Sequence, residues 1–172
     1  INAITDKIAI FTATIIPTFF TLCLCAQNTV SLETFNPLFG KQWTGTLTYL
    51  DYSNNEEFSI PVNMTVEPKT DRKVIFSIVY PGEESANNTT QVVISKDGTE
   101  FNGQKVQAIE AIGNGNTEIV TTERGKDNGK PAEMTYTYVI GPKIYSSEKF
   151  VRYVGTDHAF FRNGYAMQPV DH

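Results

Sequence analysis

Residues 117–140, TEIVTTERGKDNGKPAEMTYTYVI, hold the pattern on which the fold turns. In the second half, Met134, Tyr136, Tyr138 and Ile140 alternate with Thr135, Thr137 and Val139. A period of two sets the first group on one face of a strand and the second on the other, which a helical period of about 3.6 cannot do. β-Branched and aromatic side chains suit such a pleated surface. Between the halves stands Asp127-Asn128-Gly129. Asn-Gly accepts the positive φ angles of a tight turn, so strands predicted over 117–123 and 132–140 are joined as an antiparallel hairpin.

The same pattern repeats in both directions. Runs rich in Thr, Val, Ile, Tyr and Phe predict strands over 42–51, 57–66, 73–80, 89–95, 104–112, 144–154 and 158–167, with a small one at 99–102. Ser53-Asn54-Asn55, Pro81-Gly82, Asp97-Gly98, Asn102-Gly103, Gly113-Asn114-Gly115-Asn116 and Gly141-Pro142 separate them, at about the 8–12-residue spacing of a sandwich or barrel. Parallel strands would need a crossover helix, and no gap of helical periodicity is long enough to hold one. The one helix expected is short, capped by Ser31 and stopped by Pro37. Val74, Phe76, Ile78 and Tyr80 share a strand face and, with the Met134 to Ile140 set, form the expected core walls. The chain is therefore all-β. Closure into an antiparallel up-and-down β-barrel of about 8–10 strands removes the two edges that an open sheet would expose. A two-layer β-sandwich is the second solution.

Upstream, Ile8 to Cys25 is an almost unbroken apolar and hydroxylated run behind Lys7 and ahead of Ala26-Gln27, the layout of a secretory signal peptide. Pro17 and four threonines weaken the alternative of a transmembrane anchor, which needs about 20 apolar residues. The organisation expected is a cleavable signal peptide at 1–26, an N-terminal segment with a short helix at 27–41 and a single barrel domain at 42–172, exported to the periplasm or beyond. No membrane span is expected in the mature form. Cys23 and Cys25 follow Leu22 and Leu24, where a lipoprotein signal carries a small residue, so lipid anchoring is disfavoured. Beyond residue 26 there is no cysteine, which removes disulfides, thiol catalysis and thiolate metal sites from the mature chain. A net charge of −5 with no basic run argues against nucleic acid, because phosphate binding needs clustered Lys and Arg.

The stretch Leu38-Phe39-Gly40-Lys41-Gln42-Trp43-Thr44-Gly45-Thr46-Leu47-Thr48-Tyr49 resembles the opening of a lipocalin-like (calycin) barrel. That superfamily places an Arg of its last strand over the first-strand Trp, and Arg162 in Phe161-Arg162-Asn163 stands where it would belong. The resemblance implies a barrel able to hold a small molecule, with Trp43, Gly45 and Arg162 in structural roles. It also implies a guanidinium stacked on the Trp43 indole, both buried where first and last strands meet. Two departures bear on the ligand. Gly40 and Trp43 are three apart where the lipocalin motif has Gly-x-Trp, and neither Arg152 nor Arg162 stands in the Arg-x-Tyr spacing of fatty-acid-binding proteins. A carboxylate-binding Arg is accordingly not implied.

Candidate site residues follow from strand faces. Tyr136 and Tyr138 are expected on the cavity wall, and their aromatic bodies with polar tips suit a ligand pocket. Glu148 and Arg152 share a face with Phe150, either as an inward ion pair orienting a ligand head group or as an exposed face. His158 could act as a general base or as a haem ligand like that of nitrobindin-type barrels. The motif around that ligand is absent, and the position after Gly155-Thr156-Asp157 predicts an ordinary turn histidine. Gly125 to Lys130 is one residue short of a phosphate loop and has Pro131 where Ser or Thr must hold magnesium. No Gly-x-Ser-x-Gly, His-Glu-x-x-His or dinucleotide glycine fingerprint occurs. No enzymatic activity, cofactor or metal is expected. The leading expectation is a cavity binding a small apolar or amphipathic ligand; the alternative is an envelope structural or interaction module with a side-chain-filled barrel.

Overall fold

The computed structural model describes residues 28–170, so the expected signal peptide at 1–26 lies outside the described residues. Ten antiparallel strands form one sheet: β1 Gln42–Asp51, β2 Glu56–Thr70, β3 Lys73–Val79, β4 Asn88–Val93, β5 Glu100–Phe101, β6 Gln104–Gly113, β7 Asn116–Asp127, β8 Lys130–Ile140, β9 Tyr145–Tyr153 and β10 Ala159–Pro169. The order β4-β3-β2-β1-β10-β9-β8-β7-β6-β5 is an up-and-down meander whose first and last strands pair. The architecture is thus a nearly closed, lipocalin-like barrel, and the two-sheet sandwich is excluded. Asn128 (φ 45°) and Gly129 (φ 75°) carry the β7–β8 turn in the conformation expected of Asn-Gly.

β1 and β10 pair from Trp43 opposite Pro169 to Tyr49 opposite Asn163. Gly45 makes that approach possible: a Cβ there would sit 1.9 Å from the Ala166 carbonyl oxygen. The barrel seals less well on the far side. β5 is two residues long and reaches β4 through a bridge between Ile94 and Phe101, reinforced where Asn102 N–H donates to the Val93 carbonyl at 2.7 Å. β4 pairs with β3 alone, and β6 pairs with β7 only as far as Thr122. A slit therefore separates the outer edge of β4 from the last third of β7. Polar Asn88, Thr89, Thr90 and Gln91 occupy the exposed edge, a composition that discourages pairing with another chain.

The barrel end from which β1 starts is plugged. A 3-10 helix over Leu32–Leu38 turns Phe35 and Leu38 inward, each fully buried. Ser31 caps it through its backbone, its N–H donating to Thr34 Oγ1 at 3.3 Å. Pro37 lies within the helix instead of ending it. The turn closes one residue later, where the Leu38 carbonyl accepts a hydrogen bond from the buried Trp43 indole Nε1 at 3.1 Å. Met64, Val66, Val74 and Phe76 complete this core.

The Trp43–Arg162 stack expected from the sequence does not form. The register sets Arg162 beside Leu50, whose carbonyl accepts its guanidinium at 2.5 Å. Leu50 is seven residues along β1 from Trp43, a separation of more than about 20 Å at the rise of a strand. Each partner has another mate: Lys41 Nζ lies 5.8 Å from the Trp43 ring centre, and the Arg162 guanidinium lies 4.4 Å over the Tyr52 ring. The two side chains lie at opposite ends of β1.

Candidate functional site: a tyrosine-lined cavity beneath the slit

Above the apolar plug the interior opens into a cavity of about 450 Å³. Its size falls in the range of small-molecule sites, roughly 300–1,000 Å³. Strand alternation supplies two chemically different walls. Phe76 and Ile78 of β3, Val92 of β4 and Phe101 of β5 form an apolar side. Facing them, Tyr136 and Tyr138 of β8, Tyr145 and Lys149 of β9, and Asn163 and Tyr165 of β10 form an amphipathic one. Asn88, Thr90 and Asn102 stand at the slit.

The tyrosines are held by rings below and hydroxyls above. Tyr136 and Tyr138 stack with centroids 6.3 Å apart and planes 9° apart, and Phe101 meets Tyr138 edge-on at 5.0 Å. Tyr138 OH and Thr121 Oγ1 both donate to Gln104 Oε1, at 2.9 and 2.5 Å. Tyr136 OH donates to Glu123, and the hydroxyls of Tyr80 and Tyr165 meet across the interior at 2.9 Å. Burial is the main force raising the pKa of Tyr136, with the Glu123 hydrogen bond adding to it. Burial likewise lifts Tyr138 and Tyr165 well above the usual phenol range, and pushes Tyr145 up to about 12. All four remain neutral hydrogen-bonding groups at ordinary pH.

Behind this wall lies a charged cluster that the sequence analysis did not identify. Asp127 is buried, with Lys149 Nζ at 3.7 Å and Arg162 Nε at 3.8 Å from one carboxylate oxygen. Tyr52 OH donates to the other oxygen, and Tyr153 OH reaches it at 3.4 Å. Burial, followed by the Asp127 hydrogen bond, raises the Tyr52 pKa strongly. The cluster ties together the tips of the β1–β2, β7–β8 and β9–β10 hairpins. A bulge between Phe161 and Asn163 re-aims β10 so that consecutive residues, Arg162 and Asn163, both serve the interior. The parity of β7 carried the signal for Asp127: Ile119, Thr121, Glu123 and Asp127 share one face, yet Asp127 reads in sequence as a turn residue before Asn-Gly.

Of the residues proposed from sequence, Tyr136 and Tyr138 line the cavity and Arg152 does not. Arg152 points outward and pairs with Glu133, directly opposite on β8, which also holds Arg124 Nη2 at 2.8 Å. Arg124, foremost, and Arg152 hold the Glu133 carboxyl below its ordinary pKa. Of the two readings of that face, the inward Glu148–Arg152 ion pair does not form, because residues four apart on a strand are about 13 Å apart, and both side chains are exposed. Glu148 is exposed and contributes to the cavity margin between Ser147 and Lys149. The outer groove around Lys105, Glu133 and Arg152 is larger, about 680 Å³. It is a solvated charge ladder, with the Arg124 side chain 86% exposed, so the interior cavity is the better candidate site. His158 is exposed in the β9–β10 connection. Among the described residues no group of three or more His, Cys, Asp or Glu could hold a metal ion, and no helix is long and apolar enough to cross a membrane.

No protein-family model and no curated protein sequence matches this chain. Among solved structures, the crystal structure of Rv2717c from M. tuberculosis superposes with a TM-score of 0.55 at 12% identity, covering 81% of this chain and 97% of that one. That likeness is one of fold. A crystal structure of a point mutant of the fluorescent protein UnaG aligns with a TM-score of 0.37 at 12% identity, over 77% of this chain and 96% of that one.

Proposed function

We propose that this protein binds a small amphipathic molecule inside its barrel without transforming it. The observation that carries the reading is the 450 Å³ cavity with an apolar wall facing a tyrosine-rich one. A barrel of this strand number has room for one small ligand. The cavity also weighs against the alternative of an envelope module with a side-chain-filled barrel. The slit beside β4 supplies an entry that needs no strand to break, since the backbone there is already unpaired on one side. Export through removal of residues 1–26 belongs to the same proposal, and N-terminal sequencing of the protein recovered from fractionated cells tests it.

Ligand binding is tested by native mass spectrometry of protein purified from its own source. A bound small-molecule mass that disappears on denaturation is the expected result; a bare polypeptide mass from every preparation would contradict the reading. Thr90→Trp gives the control. Thr90 is exposed at the slit, so the larger side chain should obstruct entry and lower ligand occupancy while leaving the fold unchanged by circular dichroism.

A further inference from the structure

From the charge inventory of the cavity we infer that its ligand is electrically neutral, an amphipathic molecule with an amide, carbonyl or hydroxyl head rather than an acid or an amine. The inference rests on the ligand-binding reading above. The inward charges form one connected chain: the Glu123 carboxylate accepts the Tyr136 hydroxyl, Lys149 Nζ lies 5.8 Å from the Tyr136 ring centre, and Asp127 stands between Lys149 and Arg162. Glu148, at the cavity margin, is exposed to solvent; among the inward groups two carboxylates are balanced by two cations. An anionic ligand would leave the interior with a surplus negative charge, and a cationic one with a surplus positive charge. Either surplus costs free energy in this partly buried interior.

The cavity offers a neutral head group its own partner. Asn163 faces Lys149 across the β9–β10 ladder and lines the cavity. Among the described residues its side-chain amide makes no hydrogen bond, whereas the nearby Tyr136, Tyr138 and Tyr165 hydroxyls are all engaged. An amide presents both a donor and an acceptor, so it matches an uncharged head carrying either. The Phe76, Ile78 and Phe101 side of the cavity takes the apolar body.

The test uses two bodies, a linear alkyl chain and a naphthalene, each carrying a carboxylate, a primary amide or an ammonium. Decanoate, decanamide and decylamine make up one series; 2-naphthoate, 2-naphthamide and 2-naphthylmethylamine make up the other. Isothermal titration of the protein with each should show the amides binding at least about tenfold more tightly than either ion. Lys149→Met should then shift the preference toward the amines, because it removes one of the two balancing cations; circular dichroism establishes that the variant is folded. Preference of the unmodified protein for a carboxylate or an ammonium would overturn the neutral-ligand inference while leaving the cavity reading intact. Failure of all six probes to bind would overturn the cavity reading, and the inference with it.

Discussion

At the helix-bearing end the inward side chains are Phe35, Leu38, Trp43, Met64 and Val66, each at most 2% exposed. At the other end they are Tyr52, Asp127, Lys149 and Arg162, joined by hydrogen bonds and ion pairs. One end is held by the exclusion of water from apolar surface, the other by mutual neutralisation of buried polar groups. The cavity lies between them and takes one wall from each style. Apolar contacts are non-directional and tolerate volume-conserving exchange, whereas a buried ion cluster needs every member. Substitutions at the two ends should therefore fail differently.

The largest effect is expected at the apolar end. Trp43→Ala removes a fully buried side chain and the indole donor that closes the helix, and should cost about 3–5 kcal/mol in chemical denaturation. A loss below about 1 kcal/mol would show that the plug contributes little to stability. Next comes Asp127→Asn, which leaves Lys149 and Arg162 facing each other without a carboxylate. Breaking a fully buried pair costs about 3–5 kcal/mol. Here the two cationic side chains are 18% and 24% exposed, so about 2 kcal/mol is expected after screening. That variant and Trp43→Ala should be additive, since the two sites are remote and share no partner.

The cavity wall itself should break at high pH. Tyr145 has its folded pKa raised to about 12, against about 10 for a free phenol. A raised pKa means that the fold favours the neutral form. The stabilisation is therefore complete below about pH 10 and is lost as pH climbs through the folded value. Tyr136, Tyr138 and Tyr165 are shifted in the same direction. Ultraviolet titration should show phenolate absorbance from this group appearing together with loss of the circular dichroism signal. Ionisation of all tyrosines near pH 10 with the fold retained would mean that the wall is open to water. The smallest effect belongs to the outer ladder: Arg152→Gln should cost less than about 1 kcal/mol, as exposed pairs do, and should leave ligand occupancy unchanged.

Strand periodicity and turn chemistry made most of this barrel legible in the sequence. The alternation of Met134, Tyr136, Tyr138 and Ile140 named the inner face of β8, and with it two residues of the cavity. Register was not legible, because it depends on how distant strands slide past one another. Trp43 and Arg162 belong to adjacent strands, as the closure argument requires, yet lie at opposite ends of the pairing. The bulge that turns Arg162 inward has no local signature. Arg152 illustrates the complementary limit, since face parity alone does not say which face is inside until the neighbouring strands are placed. The slit depends on β5 being only two residues long, and strand length is the least secure element of a periodicity argument.

The pairing of β1 with β10 also sets a kinetic condition. The contacts that join Trp43 to Pro169 span almost the whole described chain, so their loop-closure entropy must be met before they return any stabilisation. Proteins dominated by such distant pairings fold on the slower, millisecond-to-second side of the range. Until β10 arrives, β1 and β9 each present an unsatisfied backbone edge, and Trp43 lacks the strand that covers it. A chain in that state is vulnerable to joining a neighbour. β10 thus acts as the latch of the assembly, and the interval before it closes is when the molecule most needs to be kept apart from its own copies.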